Sequence, residues 1–189
     1  MKKNLKKVFI IVFCAIMSVS LCSCAEYAPE ESVSYVLDAF KSGDEEAVGN
    51  LFEKGDSLSG LEGEYNEAFK IIFANMDYEI VSSTENGNKA SVIVKITNKD
   101  YGDVAKKAFK KFESYAMNNP DASQKDLQKK IESLLLEEIN KVSQSNSTVT
   151  NKVEFTLTKD EESDWIIDDP SDEVMYAMSG NLLKGIDEM

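Results

Sequence analysis

Asn86-Gly87, followed by Ala90-Ser91-Val92-Ile93-Val94-Lys95-Ile96-Thr97, is the stretch that decides the fold. Ala90, Val92, Val94 and Ile96 alternate with Ser91, Ile93, Lys95 and Thr97. A period of two sends the first set to one face of a strand and the second to the other, so one face is core and the other partly wet. Just upstream, Tyr78 and Ile80 alternate with Glu79. Asn-Gly between two such runs is a strong signal for a type I′ hairpin. Two antiparallel strands with one apolar face are expected here, and that face needs a cover.

Near the end of the chain the same period returns. Val149, Asn151, Val153, Phe155 and Leu157 alternate with Thr150, Lys152, Glu154 and Thr156. Lys159 to Asp164 reads as a charged turn, and Trp165-Ile166-Ile167 as a short returning strand. Asp169-Pro170 breaks it, and Ser171 or Asp172 caps a last helix holding Val174 and Met178.

The rest of the chain carries the helical period. Pro29 suits a first helical position. Val33, Val36, Leu37 and Phe40 follow at i, i+3, i+4 and i+7, and Gly43 closes the helix. Asp44 is placed to cap a second helix with Val48, Leu51 and Phe52 on its apolar side, stopped by Gly55. A third carries Tyr65, Phe69, Ile72, Phe73 and Met76. Between the hairpins, Val104, Ala105, Ala108, Phe109, Phe112 and Ala116 mark one helix, and Asn118-Asn119-Pro120 ends it. Ser123 with Asp126 has the spacing of a capping box. Leu127, Ile131, Leu134, Leu135, Ile139 and Val142 then mark a long amphipathic helix.

This order predicts an α+β fold, with amphipathic helices packed on a curved four-stranded antiparallel sheet. Pro29-Glu30-Glu31-Ser32-Val33, Phe40-Lys41-Ser42-Gly43-Asp44, the Asn86-Gly87 hairpin and Asp164-Trp165-Ile166-Ile167-Asp168 together resemble extracytoplasmic lipoproteins with a domain of unknown function. Those are placed in the NTF2-like (cystatin-like) superfamily. The resemblance covers nearly all of 29–180 and implies a cone-shaped domain with a pocket between sheet and helices, within a single domain expected over 29–189. The helical segment Tyr101–Val142 is larger than such a domain needs, and is expected as an inserted cover or lid at about 101–142.

The chain begins with Lys2, Lys3, Lys6 and Lys7, then an apolar run of 14 residues from Val8 to Leu21. A helix of that length is about 21 Å long, short of the roughly 30 Å hydrocarbon core. The pattern reads as an export signal over 1–23. Leu21-Cys22-Ser23-Cys24 resembles the lipobox of bacterial lipoproteins. The resemblance implies that the signal peptidase recognises Leu21, Cys22 and Ser23, and that Cys24 carries a diacylglyceryl group. Residues 24–28 are then the lipidated cysteine and a linker of four residues, reaching at most about 14 Å. The expected location is the outer face of a cell membrane.

Composition narrows the chemistry. All three cysteines lie at or before position 24, and there is no histidine. The exported part therefore lacks thiol ligands, thiol nucleophiles and the commonest general base, and no cofactor or metal is expected. Removing the leader with its four lysines takes the net charge from −13 to −17. Such a surface repels nucleic acid, which excludes it as a partner. All 21 basic residues are lysine, which points to an AT-rich genome and so a low-GC Gram-positive host.

Four sets of residues are candidates for function. Tyr65, Phe69, Phe109 and Trp165 either line an apolar pocket or belong to the core. Lys106, Lys107, Lys110 and Lys111 form either a basic patch for anionic headgroups or wall polymer, or a solvated helix face. Asp77, Tyr78 and Glu79 could supply a carboxylate base and an oxyanion donor, the chemistry some NTF2-like enzymes use. The acidic clusters 160–164 and 168–173 lack the spacing of a calcium loop and read as solvated turn and cap carboxylates. The leading expectation is a non-enzymatic envelope module that binds a small apolar ligand or an envelope protein. The alternatives are an envelope enzyme using a pocket carboxylate, or an accessory subunit that forms a homodimer.

Overall fold

The computed structural model describes residues 27–43, 64–161 and 163–189. The leader, Cys24 and the helix expected after Asp44 lie outside the described residues. The alternating stretch becomes a strand, β2 (Lys89–Lys99), between β1 (Asp77–Asn86) and β3 (Thr148–Lys159), and β4 (Trp165–Ile167) closes the row. All three pairings are antiparallel. The helices are α1 (Pro29–Ser42), α2 (Glu64–Ala74), α3 (Val104–Asn118), α4 (Gln124–Ser143), α5 (Asp172–Met178) and α6 (Leu182–Asp187). The protein is thus α+β, with an open four-stranded antiparallel sheet.

Val92, Val94, Ile96, Phe155 and Leu157 are buried on one face of the sheet. Helices α1, α2 and α5 pack over that face. The opposite face carries Lys95, Glu79 and the hydroxyl pair Thr97–Thr150, whose oxygens are 2.9 Å apart. α1 starts at Pro29, with the Glu31 carboxylate accepting the Ala28 N–H at 3.0 Å. It ends at Gly43, whose φ of 61° is the left-handed value glycine takes at low cost.

Four local features differ from the sequence reading. The hairpin turn is Gly87-Asn88, one residue later than Asn86-Gly87, because Asn86 pairs with Lys89. Only Gly87 of the two has positive φ, at 66°, which is the pattern of a type II′ turn rather than I′. Val81 is a β-bulge: Ile80 lies opposite Val94 while Ser82 lies opposite Ile93. The extra residue flips the alternation, so Ser83 and Glu85 share the side of Val92 and Ala90, and the outer half of β1 is exposed. At α4, Ser123 accepts the Asp126 N–H, as expected of a cap. Its hydroxyl also donates to the Asp126 carboxylate at 2.6 Å, so the reciprocal half of the box is replaced by a side-chain bond.

The other two differences are tertiary. The α3–α4 segment was expected over the sheet, but it packs on α2 and α6 instead. The apolar face of β2 and β3 is already occupied by α1, α2 and α5, so the hairpin of helices forms an outer layer. The helix expected to be last, α5, forms as expected and is followed by a further one, α6. Gly180 and Asn181 both take positive φ, at 54° and 65°, and separate the two. The break lets the Tyr101 N–H donate to the Gly180 carbonyl at 2.7 Å and the Asn98 side chain donate to the Met178 carbonyl at 2.8 Å. α6 then buries Leu182, Leu183 and Ile186.

Candidate functional site

Among the described residues two open clefts flank the helical layers, and charged side chains line both. The first lies where the start of α3, the end of α4 and α6 converge. It has a volume of about 650 Å³ and is lined by Asp100, Lys107, Glu138, Lys141, Lys184 and neighbours. Its anchor is Glu138, a carboxylate that the packing of α3 on α4 buries to 6% exposure. Lys111 of α3 reaches Glu138 at 2.5 Å and Glu137 at 2.8 Å. Lys141, one turn along α4, reaches Glu137 at 2.5 Å and Glu138 at 2.9 Å. Burial alone would raise the Glu138 carboxyl. The hydrogen bonds and charges of Lys111 and Lys141 outweigh it and hold the group below the usual carboxylate range. Glu137, bonded by both lysines, is lowered to about 2. Lys111 is raised in return, through its bonds to Glu137 and Glu138. These carboxylates are held ionised, which suits a structural clamp between two helices and not a proton donor or acceptor near neutral pH.

The second cleft runs beside the edge of β3 and has a volume of about 430 Å³. Lys152 and Glu154 lie on the strand side, and Asp168, Asp169 and Glu173 on the other. Pro170 ends the β4 segment, and Ser171 caps α5 by accepting the Val174 N–H at 3.3 Å. The Thr158 hydroxyl donates to the Asp168 carboxylate at 2.9 Å and holds the turn against β3. Among the described residues no three Asp, Glu, His or Cys side chains are grouped to hold a metal ion.

The residues singled out by sequence do not come together. Phe69 stacks on Phe73 with ring centres 5.9 Å apart, and Phe109 lies 6.3 Å from Phe112. Trp165 is buried, with the Lys159 ammonium 4.8 Å from its ring centre. None of these three lines either cleft. Tyr65 falls on a stretch whose side chains lie outside the description. The four lysines of α3 divide: Lys106 and Lys110 are exposed, Lys107 pairs with Asp103 at 3.9 Å, and Lys111 belongs to the Glu138 clamp. Two of the four are thus engaged in ion pairs.

Asp77, Tyr78 and Glu79 are likewise engaged in separate contacts. Asp77 pairs with Lys41 at 2.8 Å, and that hydrogen bond and charge lower its pKa, away from what a general base needs. The Tyr78 hydroxyl donates to Asp38 at 2.8 Å, and Glu79 faces Lys95 at 3.5 Å. Partial burial and the Asp38 contact push Tyr78 up.

Glu138 is the residue that sequence reasoning missed. Its signal was there: it occupies the stripe of Ile131, Leu135 and Val142 at helical spacing, where a solvated acid is out of place.

The family described as Domain of unknown function (DUF5105) matches residues 30–180. No curated protein sequence matches the chain. Among solved structures, a candidate lipoprotein (ycdA) from Bacillus subtilis subsp. subtilis str. 168 is similar at 16% identity and a TM-score of 0.47. The alignment covers 93% of this chain and 54% of that one, so the chain spans about half the length of that protein. A likeness at that level decides neither fold nor function.

Proposed function

We propose, for a chain that belongs to the DUF5105 family, the role of a membrane-anchored extracytoplasmic lipoprotein whose folded part is a non-enzymatic protein-interaction module. The anchoring half rests on Leu21-Cys22-Ser23-Cys24 at the end of a short apolar run. Two acyl chains hold a protein where one chain is marginal. No helix among the described residues is long and apolar enough to cross a membrane. Residues 29–189 form the exported domain in this reading.

The observation that carries the interaction half is the contrast between core and clefts. Among the described residues Phe69, Phe109 and Trp165 are taken up in ring and core contacts, whereas the two clefts beside α4 and β3 are open and lined by charged groups. That contrast favours a polar macromolecular partner over a small apolar ligand. The finer assignment to the NTF2-like arrangement is supported by helices preceding a hairpin whose apolar face they cover. An experimental structure with α1 off that face would refute it.

The test is labelling of the host cells with radioactive palmitate, with native mass spectrometry of the protein extracted from its own membranes. The wild type should carry label and stay with membranes, and Cys24→Ala should lose label and leave them. Retention of Cys24→Ala would refute the anchor. An extra protein mass on the wild type supports the interaction module. A reproducible small-molecule mass, or the bare protein, refutes it.

A further inference from the structure

We propose that the free edge of β3 is a docking strip for an extended, lysine- or arginine-bearing segment of a partner protein, taken up as a fifth strand. β4 is three residues long and pairs only with Leu157–Lys159, while β3 runs for 12 residues. Among the described residues the rest of that edge has no strand beside it. The direction of its backbone groups follows from two hydrogen bonds. The Asp168 N–H donates to the Thr156 carbonyl at 2.8 Å, so Thr156 faces away from β2. The Lys159 N–H donates to the Asn88 carbonyl at 2.9 Å, so Lys159 faces toward β2. The register between them is unbroken. Alternation along an antiparallel strand then turns the N–H and C=O of Thr150, Lys152 and Glu154 outward. Among the described residues these six groups have no backbone partner.

The edge is a recess with chemical character. The cleft of about 430 Å³ beside Lys152–Thr156 has Asp168–Ser171 and Glu173 as its far wall. Its floor includes the apolar Val153, Ile167 and Val174. A strand laid along β3 would place alternate side chains over that floor and the others beside the carboxylates. Four acids (Glu154, Asp168, Asp169 and Glu173) stand against one base, Lys152. Charge complementarity therefore selects a basic segment. A second copy of this chain, with its net charge of −13, is a poor occupant. Unpaired edges in other proteins are covered, bulged or kept short. Among the described residues the bulge lies on the opposite edge, at Val81.

This inference rests on the interaction-module reading and names its surface. The probe is a hexapeptide amide alternating lysine and valine, with a glutamate–valine peptide as control. Both are titrated onto the intact lipidated protein in detergent, and the readouts are fluorescence anisotropy and amide hydrogen exchange. The basic peptide should bind at least about tenfold more tightly than the control and slow exchange at Thr150, Lys152 and Glu154. Lys152→Pro removes an outward N–H and leaves the β2 ladder intact, so it should weaken binding about tenfold with little change in melting. Asp169→Lys with Glu173→Lys leaves the backbone untouched and should abolish the preference for the basic peptide.

Equal binding of the two peptides, protection elsewhere, or a dimer that buries the β3 edge would each overturn the proposal. The two readings fail separately. If the peptide does not bind while native spectra still show a partner protein, the edge assignment falls and the interaction module stands. If the spectra show the bare protein, both fall.

Discussion

Replacing Gly185 with alanine should destabilise the protein, although alanine is the better helix former. A Cβ built at Gly185 would lie 1.9 Å from the Gly102 carbonyl oxygen and 2.8 Å from its carbon. A carbon–oxygen contact needs about 3.3 Å, so α6 and the start of α3 must separate by roughly 1.4 Å. Both sides of the contact are backbone, and no side-chain rotation relieves it. Overpacking of this kind costs about 1–3 kcal/mol. Undocking α6 instead exposes Leu182, Leu183 and Ile186, now 2–6% exposed, at an upper bound of about 1.5–3 kcal/mol each. The gain in helix propensity offsets at most about 1 kcal/mol. A clash between two backbones belongs at the top of the overpacking range, so the net expectation is a loss of about 2–3 kcal/mol, read as a fall of about 1–1.5 M in the urea midpoint. The assay is equilibrium unfolding of the Cys24→Ala background followed by tryptophan fluorescence, since Trp165 is the single tryptophan. Gly87→Ala is the control: its φ is 66° but nothing lies within 4 Å of the new Cβ, so strain alone should cost about 1–2 kcal/mol. A Gly185→Ala midpoint at or above that of the parent would refute the close docking of α6.

Further expectations concern the buried polar groups. The Tyr101 hydroxyl is buried without a hydrogen-bond partner among the described residues, and burial pushes its pKa to about 12. Tyr101→Phe should therefore leave stability unchanged or raise it by up to about 1 kcal/mol in a thermal melt. A loss larger than that would mean the hydroxyl has a partner. Glu137 and Glu138 both sit below their ordinary value of 4.5, Glu137 at about 2. Their contribution is complete above pH 4.5 and disappears as pH falls through the lowered values. Replacing both with glutamine should lower the urea midpoint at pH 7 and flatten its decline between pH 4.5 and 2. An acid limb as steep as that of the wild type would show that the clamp is energetically silent.

The chain itself dictated the local structure. The alternation of Val92, Val94 and Ile96, the stripe of Val33, Leu37 and Phe40, and the break at Pro120 each have one favourable reading, because a side-chain period and a missing N–H act within a few residues. The α+β class followed from the order of those elements. The turn type did not, because Asn86-Gly87-Asn88 offers two adjacent two-residue loops, and the cross-strand register chose between them. Nor was the bulge at Val81 legible, since an apolar residue fits either side of the slip.

What decided the candidate sites lies between elements. Glu138 looks like any helical glutamate until Lys111, 27 residues away, closes on it. Lys111 looks like part of a basic row until that pairing removes it. The free edge of β3 exists only because β4 stops after three residues and the chain turns at Asp168–Ser171 into α5. The sequence alone determined the four strands, five of the six described helices and the lipobox pattern, which depend on neighbours along the chain. The tertiary structure alone determined which charges are paired, which aromatic rings are core, and which strand edge stays open, because those depend on contacts between residues far apart in the chain.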